Sequence, residues 1–356
     1  MTAERSAVRL QQVSLPFRCI DAGAAPSEAI VREFRRGWPA YRRWFLHKGV
    51  GARPSYAECR KALSAHMPEL VPDYEALVEA VGGGDLHARF LSHWCPPPLV
   101  SACSIAMLEG SQPLMVRNYD YPPALSDTLA LRTHWSGVTV LGMSDCVFGL
   151  MDGMNDAGLA VAISFGGRRA VADGFGIGLV VRYLLQTTST VREAAERLGR
   201  IPVQMSYNVA ISERGGRSCI VRVAPDREAV VTHERACANR QGSTEWPAHA
   251  DYSDTVRREG RLAELTGDSR IPTDQLIGAF LRPPLHRPLA ESTWGTLYTA
   301  AYDSVTSTLT IAWPDDRWVM SVSSTDESHR PRMDVVLTPT VHDQWHFSEE
   351  VTPIEL

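Results

Sequence analysis

Three side chains suited to nucleophilic chemistry lie within one short stretch of this sequence, residues 101–121. The stretch is typical of a β-hairpin, because two runs of alternating apolar residues flank the turn-forming residues 109–113. Two antiparallel strands joined by that turn would bring Cys103 close to Arg117 and Asp120. A guanidinium lowers the pKa of a nearby thiol, and a carboxylate can orient a proton or accept one. The three residues together could therefore activate a nucleophilic cysteine.

Cys103 also has a purely structural interpretation. A cysteine at the start of a strand is commonly a small, buried, hydrophobic residue rather than a nucleophile. The hairpin alone leaves both interpretations open, and the choice between them depends on the rest of the sequence.

Five segments, in one order along the chain, resemble a known enzyme family. These are the N-terminal-nucleophile (Ntn) hydrolases of the acyl-CoA:6-aminopenicillanic acid acyltransferase family, which are related to choloylglycine hydrolases and penicillin V acylases. The resemblance runs from residue 101 to about residue 318, and its segments are Cys103-Ser104, RNYDY at 117–121, GMNDAGLA at 153–160, YNVAISERGG at 207–216 and TLYTAAYD at 296–303.

The resemblance implies a role for each candidate catalytic residue. Cys103 would be the nucleophile, and autocatalytic cleavage of the Ala102-Cys103 bond would free its α-amine to act as the base. Asp120 and Arg117 would hold that amine and the thiolate. Asn208 would stabilise the oxyanion of the tetrahedral intermediate together with a backbone N–H. An asparagine inside a strand otherwise favours an edge or outward position, and the residues alone leave that alternative open.

The alternating and helical patterns predict an α+β fold. The resemblance makes this specific: a four-layer αββα sandwich, in which helices flank two stacked antiparallel sheets. It also divides the chain into a helical N-terminal region, residues 1–102, and a catalytic domain, residues 103–356. Residues 1–102 would be a propeptide if the chain is cleaved, and otherwise a segment that stays attached and packs on the core.

Local signals predict the elements of the N-terminal region. A strand-like piece covers residues 8–17, and two short helices are predicted at 27–36 and 39–47, because Gly37 and Pro39 interrupt the pattern. The tail beyond residue 325 carries no clear pattern, and irregular packing is expected there.

Three further residues are candidate substrate contacts. Asn155 lies in the turn of residues 153–158, where turn formation is the simpler explanation. Asn239 and Trp246 belong to a polar, aromatic loop, predicted at residues 239–241 and 246–254, of the kind that often binds substrates, although a plain surface loop fits equally well. Bile-salt-type hydrolases tend to have an arginine just before the strand that corresponds to residues 296–303, and residues 291–295 contain none. This difference weakens the transfer of their substrate and of one ancillary catalytic role to this chain.

Composition argues against several classes of function. The net charge is -5, with 36 basic and 41 acidic residues and no long run of one sign, so neither nucleic acid nor a membrane surface is expected as a partner. The start of the chain does not resemble a signal peptide, and no stretch is long and apolar enough to span a membrane. A cytoplasmic location is expected.

Metal and redox functions are also not indicated. The seven cysteines are scattered, and none forms a CxxC motif. His342 and His346 have HxxxH spacing, but the glutamate of the metalloprotease motif is missing. No metal or cofactor is expected, and acyl-CoA would enter as a substrate if it enters at all.

The sequence thus predicts a cysteine-dependent amidohydrolase or acyltransferase that acts on a small molecule with a linear amide or a thioester. Hydrolysis and transfer to an amine share one acyl-enzyme, so the choice between them stays open. The alternative is a catalytically inactive binding or regulatory protein that kept the fold. A heterodimer of the cleavage fragments is expected if the chain is cut, and homo-oligomerisation is left open.

Overall fold

The computed structural model describes residues 13–268, 270–289, 294–323 and 332–337. Two β-sheets built from these residues stack face to face, and helices cover the outer face of each. Buried side chains between the sheets belong to one large apolar cluster, which also includes side chains of the helices that pack on the larger sheet. This arrangement is the four-layer αββα sandwich that was predicted.

The larger sheet has nine strands within the described residues. In spatial order they are β10 (Arg227–Thr232), β9 (Ser218–Ala224), β8 (Tyr207–Ser212), β7 (Ala160–Phe165), β6 (Gly149–Asn155), β5 (Val140–Asp145), β4 (Leu129–Thr133), β1 (Val13–Asp21) and β15 (Arg332–Leu337). Neighbouring strands are antiparallel except β1 and β4, which are parallel, so the expectation of a purely antiparallel sheet fails at this pair.

The smaller sheet carries Cys103. In spatial order its strands are β11 (Ala236–Cys237), β2 (Ala102–Leu108), β3 (Leu114–Tyr121), β12 (Gly295–Asp303), β13 (Thr308–Trp313) and β14 (Asp316–Ser321). The predicted hairpin is β2–β3, with Cys103 opposite Tyr119 and Ala102 opposite Asp120.

Two groups of helices form the outer layers. The larger sheet is covered by α5 (Ile177–Thr187) and α6 (Val191–Leu198). The smaller sheet is covered by α8 (Thr255–Gly267) and α9 (Thr273–Phe280), and α7 (Pro247–Tyr252) packs on α8. The N-terminal region contributes α1 (Glu28–Phe45), α2 (Tyr56–His66), α3 (Val71–Ala80) and α4 (Asp85–Leu91).

The alternation along β2 decides which layer each side chain enters, because successive residues of a strand point to opposite faces of the sheet. Cys103 and Ile105 belong to the cluster between the sheets. Ala106 belongs to a second cluster, which contains Leu262 of α8 and Phe280 of α9. The same alternation places the candidate functional side chains described below on two opposite faces of the sheet.

The predicted break at Gly37 and Pro39 is wrong, because α1 is one continuous helix that contains both residues. Proline removes one backbone donor from the helix. Aromatic packing on the buried face compensates: Phe34 stacks on Trp38 with centroids 5.3 Å apart, and Tyr41 stacks on Phe90 at 5.1 Å. Tertiary packing therefore overrides the local helix-breaking signal.

The N-terminal region is not purely helical, because β1 is inserted between β4 and β15 in the larger sheet. Its partner β15 lies in the tail that was expected to be irregular, so that expectation is wrong for residues 332–337. Within β15, Met333 and Val335 are buried and alternate with exposed residues. Pairing with β1 is a contact between the two ends of the described chain, which local sequence patterns do not report.

Candidate active site

Cys103 is fully buried near the start of β2, with its thiol in the layer between the sheets. Arg117 Nη2 donates a hydrogen bond to its Sγ at 3.2 Å, and Ser101 Oγ lies 3.9 Å from Sγ. Arg117 lies on β3 opposite Ile105, two residues along from the partner of Cys103, so both side chains enter the same layer. The hairpin thus brings the predicted cation to the predicted nucleophile.

Arg117 is held by the opposite sheet. Its guanidinium forms a fully buried ion pair with Asp152 of β6, and its Nε donates to the carbonyl of Ile163 at 3.0 Å. The hydroxyls of Tyr298 and Tyr302 on β12 also donate to Asp152. Such a network fixes the guanidinium against the thiol and couples the two sheets through polar contacts.

Burial and the neighbouring groups act in opposite directions on the pKa values of Cys103 and Arg117. It raises the pKa of the Cys103 thiol, and the positive charge of Arg117 opposes that shift only in part. Burial alone would lower the pKa of Arg117, but the surrounding thiol, phenol and carboxyl groups raise it well above its usual value. In this closed arrangement Arg117 is charged and the thiol is protonated near neutral pH.

The backbone N–H and carbonyl of Cys103 are bound by a different set of residues. Its N–H donates to Asn239 Oδ1 at 3.1 Å, and its carbonyl accepts from Arg258 Nη1 at 2.6 Å. Arg258 Nη2 also donates to Asn239 Oδ1 at 2.6 Å. Asn239 and Arg258 are both buried, and they bind the N–H of the predicted scissile bond and the carbonyl of the next peptide group.

Asp120 contacts Arg258 of this second set rather than the thiol of Cys103. It lies opposite Ala102 on β3, and its carboxylate accepts from Thr296 Oγ1 at 2.6 Å and from Arg258 Nη1 at 3.5 Å. The neighbouring even-numbered Asn118 donates to the carbonyl of Phe280 on α9, which marks this side of β3 as the helix-facing side. Asp120 is thus suited to bind the Cys103 amine, and Arg117 is suited to bind the thiol.

Asn208 lies in a fully buried inner strand of the larger sheet, so the edge or outward alternative is wrong. Its side-chain NH2 donates to Ser164 Oγ at 3.1 Å and to the carbonyls of Ala238 and Arg240 at 3.0 and 3.2 Å. These contacts anchor the segment that carries Asn239. The oxyanion role of Asn208 stays a prediction, and its NH2 is already bonded in this state.

The structure does not bring Asn155 to Cys103. Its side chain donates to the carbonyls of Leu185 and Thr188 at 2.9 and 2.8 Å, and its Oδ1 accepts from Leu159 N–H at 3.0 Å. These bonds tie the β6–β7 turn to the end of α5, on the outer face of the larger sheet. The turn interpretation therefore accounts for Asn155 completely.

Trp246 precedes α7 and is largely buried, so the interpretation of residues 246–254 as a loop is wrong in its helical part. Its ring packs edge-on against Phe165 at 6.3 Å and lies 5.2 Å from the ring of His249. Phe165 also accepts a hydrogen bond from Asn239 Nδ2 at 3.1 Å. Trp246 thus supports the wall next to Asn239, and a role in substrate binding stays a prediction.

Several residues of the site were not found from the sequence. They are Asp152, Arg258, Arg287, Tyr298 and Tyr302. Arg258 carried a usable signal, because it shares the buried face of α8 with Leu262 and Leu265, and an arginine on an apolar helix face needs a buried partner.

Arg287 lies before the segment 291–295, in which the sequence has no arginine. It lies upstream of β12, its backbone N–H donates to Thr296 Oγ1 at 2.8 Å, and its guanidinium donates to the carbonyl of Tyr252 at 2.8 Å. Burial lowers the pKa of Arg287, and the nearby Asp120 acts in the opposite direction. An arginine is therefore present before β12, farther upstream than was considered; residues 290–293 lie outside the described part of the chain.

Two other kinds of site are absent from the described residues. Within the described ranges, no group of three or more histidine, cysteine, aspartate or glutamate residues is arranged to hold a metal ion, and His342 and His346 lie outside those ranges. Helices that are both long and apolar enough to cross a membrane are also absent from the described residues.

A two-sheet sandwich with a cysteine at the start of a buried strand and an arginine on its thiol has the architecture of the Ntn amidohydrolases and acyltransferases. The sequence profile described as acyl-coenzyme A:6-aminopenicillanic acid acyl-transferase matches residues 107–318. Because the match covers more than half of the chain, the chain belongs to this family of Ntn enzymes.

Solved structures of three related enzymes are similar at low sequence identity. A variant of conjugated bile acid hydrolase from Clostridium perfringens is 12% identical, with 68% of this chain and 100% of that chain covered and a TM-score of 0.43. Penicillin V acylase from Agrobacterium tumefaciens is 17% identical, with 61% and 84% covered and a TM-score of 0.40. The Caenorhabditis elegans orthologue of N-acylethanolamine-hydrolyzing acid amidase is 14% identical, with 61% and 99% covered and a TM-score of 0.42. A comparison with curated protein sequences gave no match.

Proposed function

We propose that this protein transfers an acyl group from a small molecule with a linear amide or a thioester to water or an amine, through an acyl-enzyme at Cys103. The observation that carries the proposal is the contact of 3.2 Å between Arg117 and Cys103 Sγ inside a fully buried ion-pair network. A thiol packed as a simple core residue needs no fixed guanidinium beside it. Family membership supports the same class of reaction.

In the proposed reaction, Sγ attacks the acyl carbon while the α-amine of Cys103 takes the thiol proton. The electron pair of the carbonyl moves to its oxygen, and the amine returns the proton to the leaving group as the C–N or C–S bond breaks. Water or an amine then gives a proton to the α-amine and attacks the thioester carbon; the C–S bond breaks, and the thiolate of Cys103 takes that proton as the product leaves. Arg117 stabilises the thiolate, and Asp120 and Asn239 Oδ1 hold the amine.

Two asparagines are candidates for the oxyanion hole. Asn208 was predicted from the resemblance. Asn239 is the better placed in this state, because its Oδ1 accepts from the Cys103 N–H and its Nδ2 has one described acceptor, the carbonyl of Phe165. We propose that the second N–H of Asn239 donates to the oxyanion.

We propose that the closed chain is a precursor. Ala102 and Cys103 are both fully buried, which leaves no room for a substrate at the thiol. Sγ would attack the carbonyl carbon of Ala102, the peptide C–N bond would break, and the Cys103 nitrogen would take up the proton. Water would then hydrolyse the resulting thioester, which gives a carboxylate at Ala102 and a free amine at Cys103.

The cleavage fragments should remain together. Pairing of β1 with β4 and β15 joins residues 1–102 to the larger sheet, and Phe34 and Leu77 are buried in the same cluster as the catalytic domain. The active form would then be a heterodimer of its own fragments. On the sequence grounds above, we propose that it works in the cytoplasm without a metal or cofactor, with acyl-CoA as one candidate donor.

Trapping of the acyl-enzyme tests this function. Purified protein is mixed with a panel of acyl-CoAs and N-acyl amino acids, and the adduct is located by intact mass and peptide mapping. An adduct on Cys103 that is lost in Cys103→Ala is expected. Cys219→Ala is the matched control, because Cys219 is also a buried cysteine and its pKa is raised by burial to about 11. Retention of full activity in Cys103→Ala would end the proposal.

A further inference from the structure

A mainly apolar cavity of about 320 Å³ lies between α1 and the segments that follow β3 and β5. Tyr41 and Trp44 of α1 line it, together with Leu99 and Tyr121 from either side of the active-site hairpin. This volume falls within the usual range for small-molecule sites, roughly 300–1,000 Å³, which combine apolar walls with a few polar groups. The cavity is large enough for a small organic ligand.

Three carboxyl groups, those of Glu33, Asp127 and Asp145, line the cavity, and they differ in their partners. Asp127 is satisfied within the chain, since Ser144 Oγ and the Val147 N–H donate to it at 2.9 and 3.1 Å and Tyr41 OH also donates. Asp145 accepts a hydrogen bond from the Cys146 thiol and forms no ion pair with a basic side chain in the described ranges. Burial and the nearby Asp127 raise the pKa of Asp145 to about 7, although that bond and the positive charge of Arg117 act to lower it. A cation bound directly beside Asp145 would favour its ionised form.

The basic residues at this cavity are already paired with one of its carboxylates. Arg18 and Arg36 line it, and both form ion pairs with Glu33, at 3.3 and 2.5 Å. The turn after Asp145 is unusual as well, because Cys146 and Val147 have φ values of 52° and 65°. Left-handed backbone is unfavourable for a β-branched residue, and strain of this kind concentrates at binding and catalytic sites.

A smaller void of about 40 Å³ adjoins the cavity and shares Asp145 and Trp44 with it. His93 lines this void with a side chain that is only 5% exposed, and its Nε2 has no hydrogen-bond partner. Burial lowers the pKa of His93 to about 3, so the imidazole is neutral near pH 7 and can accept a hydrogen bond at its unprotonated nitrogen. A buried polar atom without a partner calls for an explanation, and a ligand that donates hydrogen bonds provides one.

We propose that the two adjoining cavities bind an amphipathic organic amine. Its ammonium group would donate hydrogen bonds to Asp145 and His93, and its apolar part would pack against Tyr41 and Trp44. Aromatic rings beside a carboxylate favour a cation through both the ring faces and the negative charge.

The assignment of this amine to the substrate rests on the proposed function. Tyr121 of the cavity wall stacks on Tyr119 at 5.2 Å, and the Tyr119 ring covers the Arg117 guanidinium at 4.6 Å. Leu99 belongs to the segment that precedes the proposed cleavage site. Displacement of that segment after cleavage would connect the cavity with Cys103.

Calorimetric titration of the full-length Cys103→Ala protein tests the site without turnover. The probes are 4-phenylbutylamine, which is cationic near pH 7, and 4-phenylbutanol, its neutral analogue. The amine should bind at least about tenfold more tightly than the alcohol, the low end for a hydrogen bond to a charged group. Asp145→Asn should remove this preference, and Asp315→Asn, at an exposed aspartate between β13 and β14, should leave it unchanged.

Equal affinities for the two probes, or no binding of either, would overturn the proposal. Should Asp145→Asn fail to fold, Ala40→Trp provides a second test, because Ala40 lines the cavity and a larger side chain should weaken both probes at least about tenfold. Unchanged binding in Ala40→Trp would place the probes elsewhere and overturn the site. Acyl trapping at Cys103 separates the two proposals, since it tests the nucleophile and is independent of the amine preference.

Discussion

The thiol and the backbone of Cys103 contact two different groups of residues. The thiol side lies between the sheets, where Arg117 is held by Asp152 in a fully buried ion pair. The peptide side faces α8, where Asn239 and Arg258 bind the N–H and the carbonyl of Cys103. The alternation of one strand pair separates the residues that contact the thiol of Cys103 from those that contact its backbone.

This comparison assigns different consequences to the two predicted partners of Cys103. Arg117 and Asp120 were predicted to act together, but their odd and even positions on β3 place them on opposite faces of the sheet. Loss of a thiol-side residue should affect both nucleophile activation and stability, because the two sheets are coupled there. Loss of a peptide-side residue should mainly affect cleavage and proton transfer.

The largest combined effect is expected for Arg117→Met. The change leaves Asp152 buried without its cation, which should cost about 3–5 kcal/mol in the free energy of unfolding, and it should abolish acyl trapping at Cys103. Denaturant unfolding and intact mass measure the two effects. The double variant Arg117→Met/Asp152→Leu should recover stability but not trapping. Normal trapping in the double variant would show that the guanidinium has no role at the thiol.

Arg258→Lys tests the peptide side. Lysine keeps the charge, but a single ammonium cannot reproduce the fork that binds the Cys103 carbonyl and Asn239 together. We expect cleavage of newly made protein to slow at least about tenfold, equivalent to about 1.4 kcal/mol in the barrier, with little loss of stability. A time course by intact mass measures the rate, and Arg261→Lys on the exposed side of α8 is the control. Equal cleavage rates would remove Arg258 from the account.

The roles of Asn208 and Asn239 can be distinguished by substituting each residue with alanine. Asn239→Ala should lose about 100-fold or more in kcat, the scale for one oxyanion donor. Asn208→Ala should show the same loss if it is an oxyanion donor, as predicted from the resemblance. If it only anchors the segment of Asn239, it should lose about 1–3 kcal/mol of stability with a smaller change in kcat. Rates at saturating substrate, together with unfolding curves, decide between these roles.

The smallest effect on activity is expected at Asn155. Its three hydrogen bonds hold the β6–β7 turn against α5, so Asn155→Ala should destabilise the protein by about 1–3 kcal/mol and leave kcat within about twofold. A large loss of activity at unchanged stability would return Asn155 to the substrate site.

Sequence patterns predicted the features that depend on neighbouring residues. The β2–β3 hairpin follows from alternation around a turn, and the turn that holds Asn155 follows from turn chemistry. Contacts between distant segments were missed: the β1–β15 pairing joins the two ends of the described chain, and Asp152 reaches Arg117 only because the sheets stack. Arg258 is an intermediate case. The sequence places it on the apolar face of a helix, but it does not identify the distant residues that Arg258 contacts.

The most direct test of the central claim is the intact mass of freshly purified wild-type protein, followed by mapping of the acyl adduct. The account predicts two co-purifying fragments, residues 1–102 and 103–356, with the adduct on the N-terminal Cys103 of the larger one, and a single uncut chain for Cys103→Ala. A wild-type protein that turns over substrate as a single chain of 39.3 kDa would contradict it. The base would then be a group other than the α-amine of Cys103, and Asp120 would be the first to test.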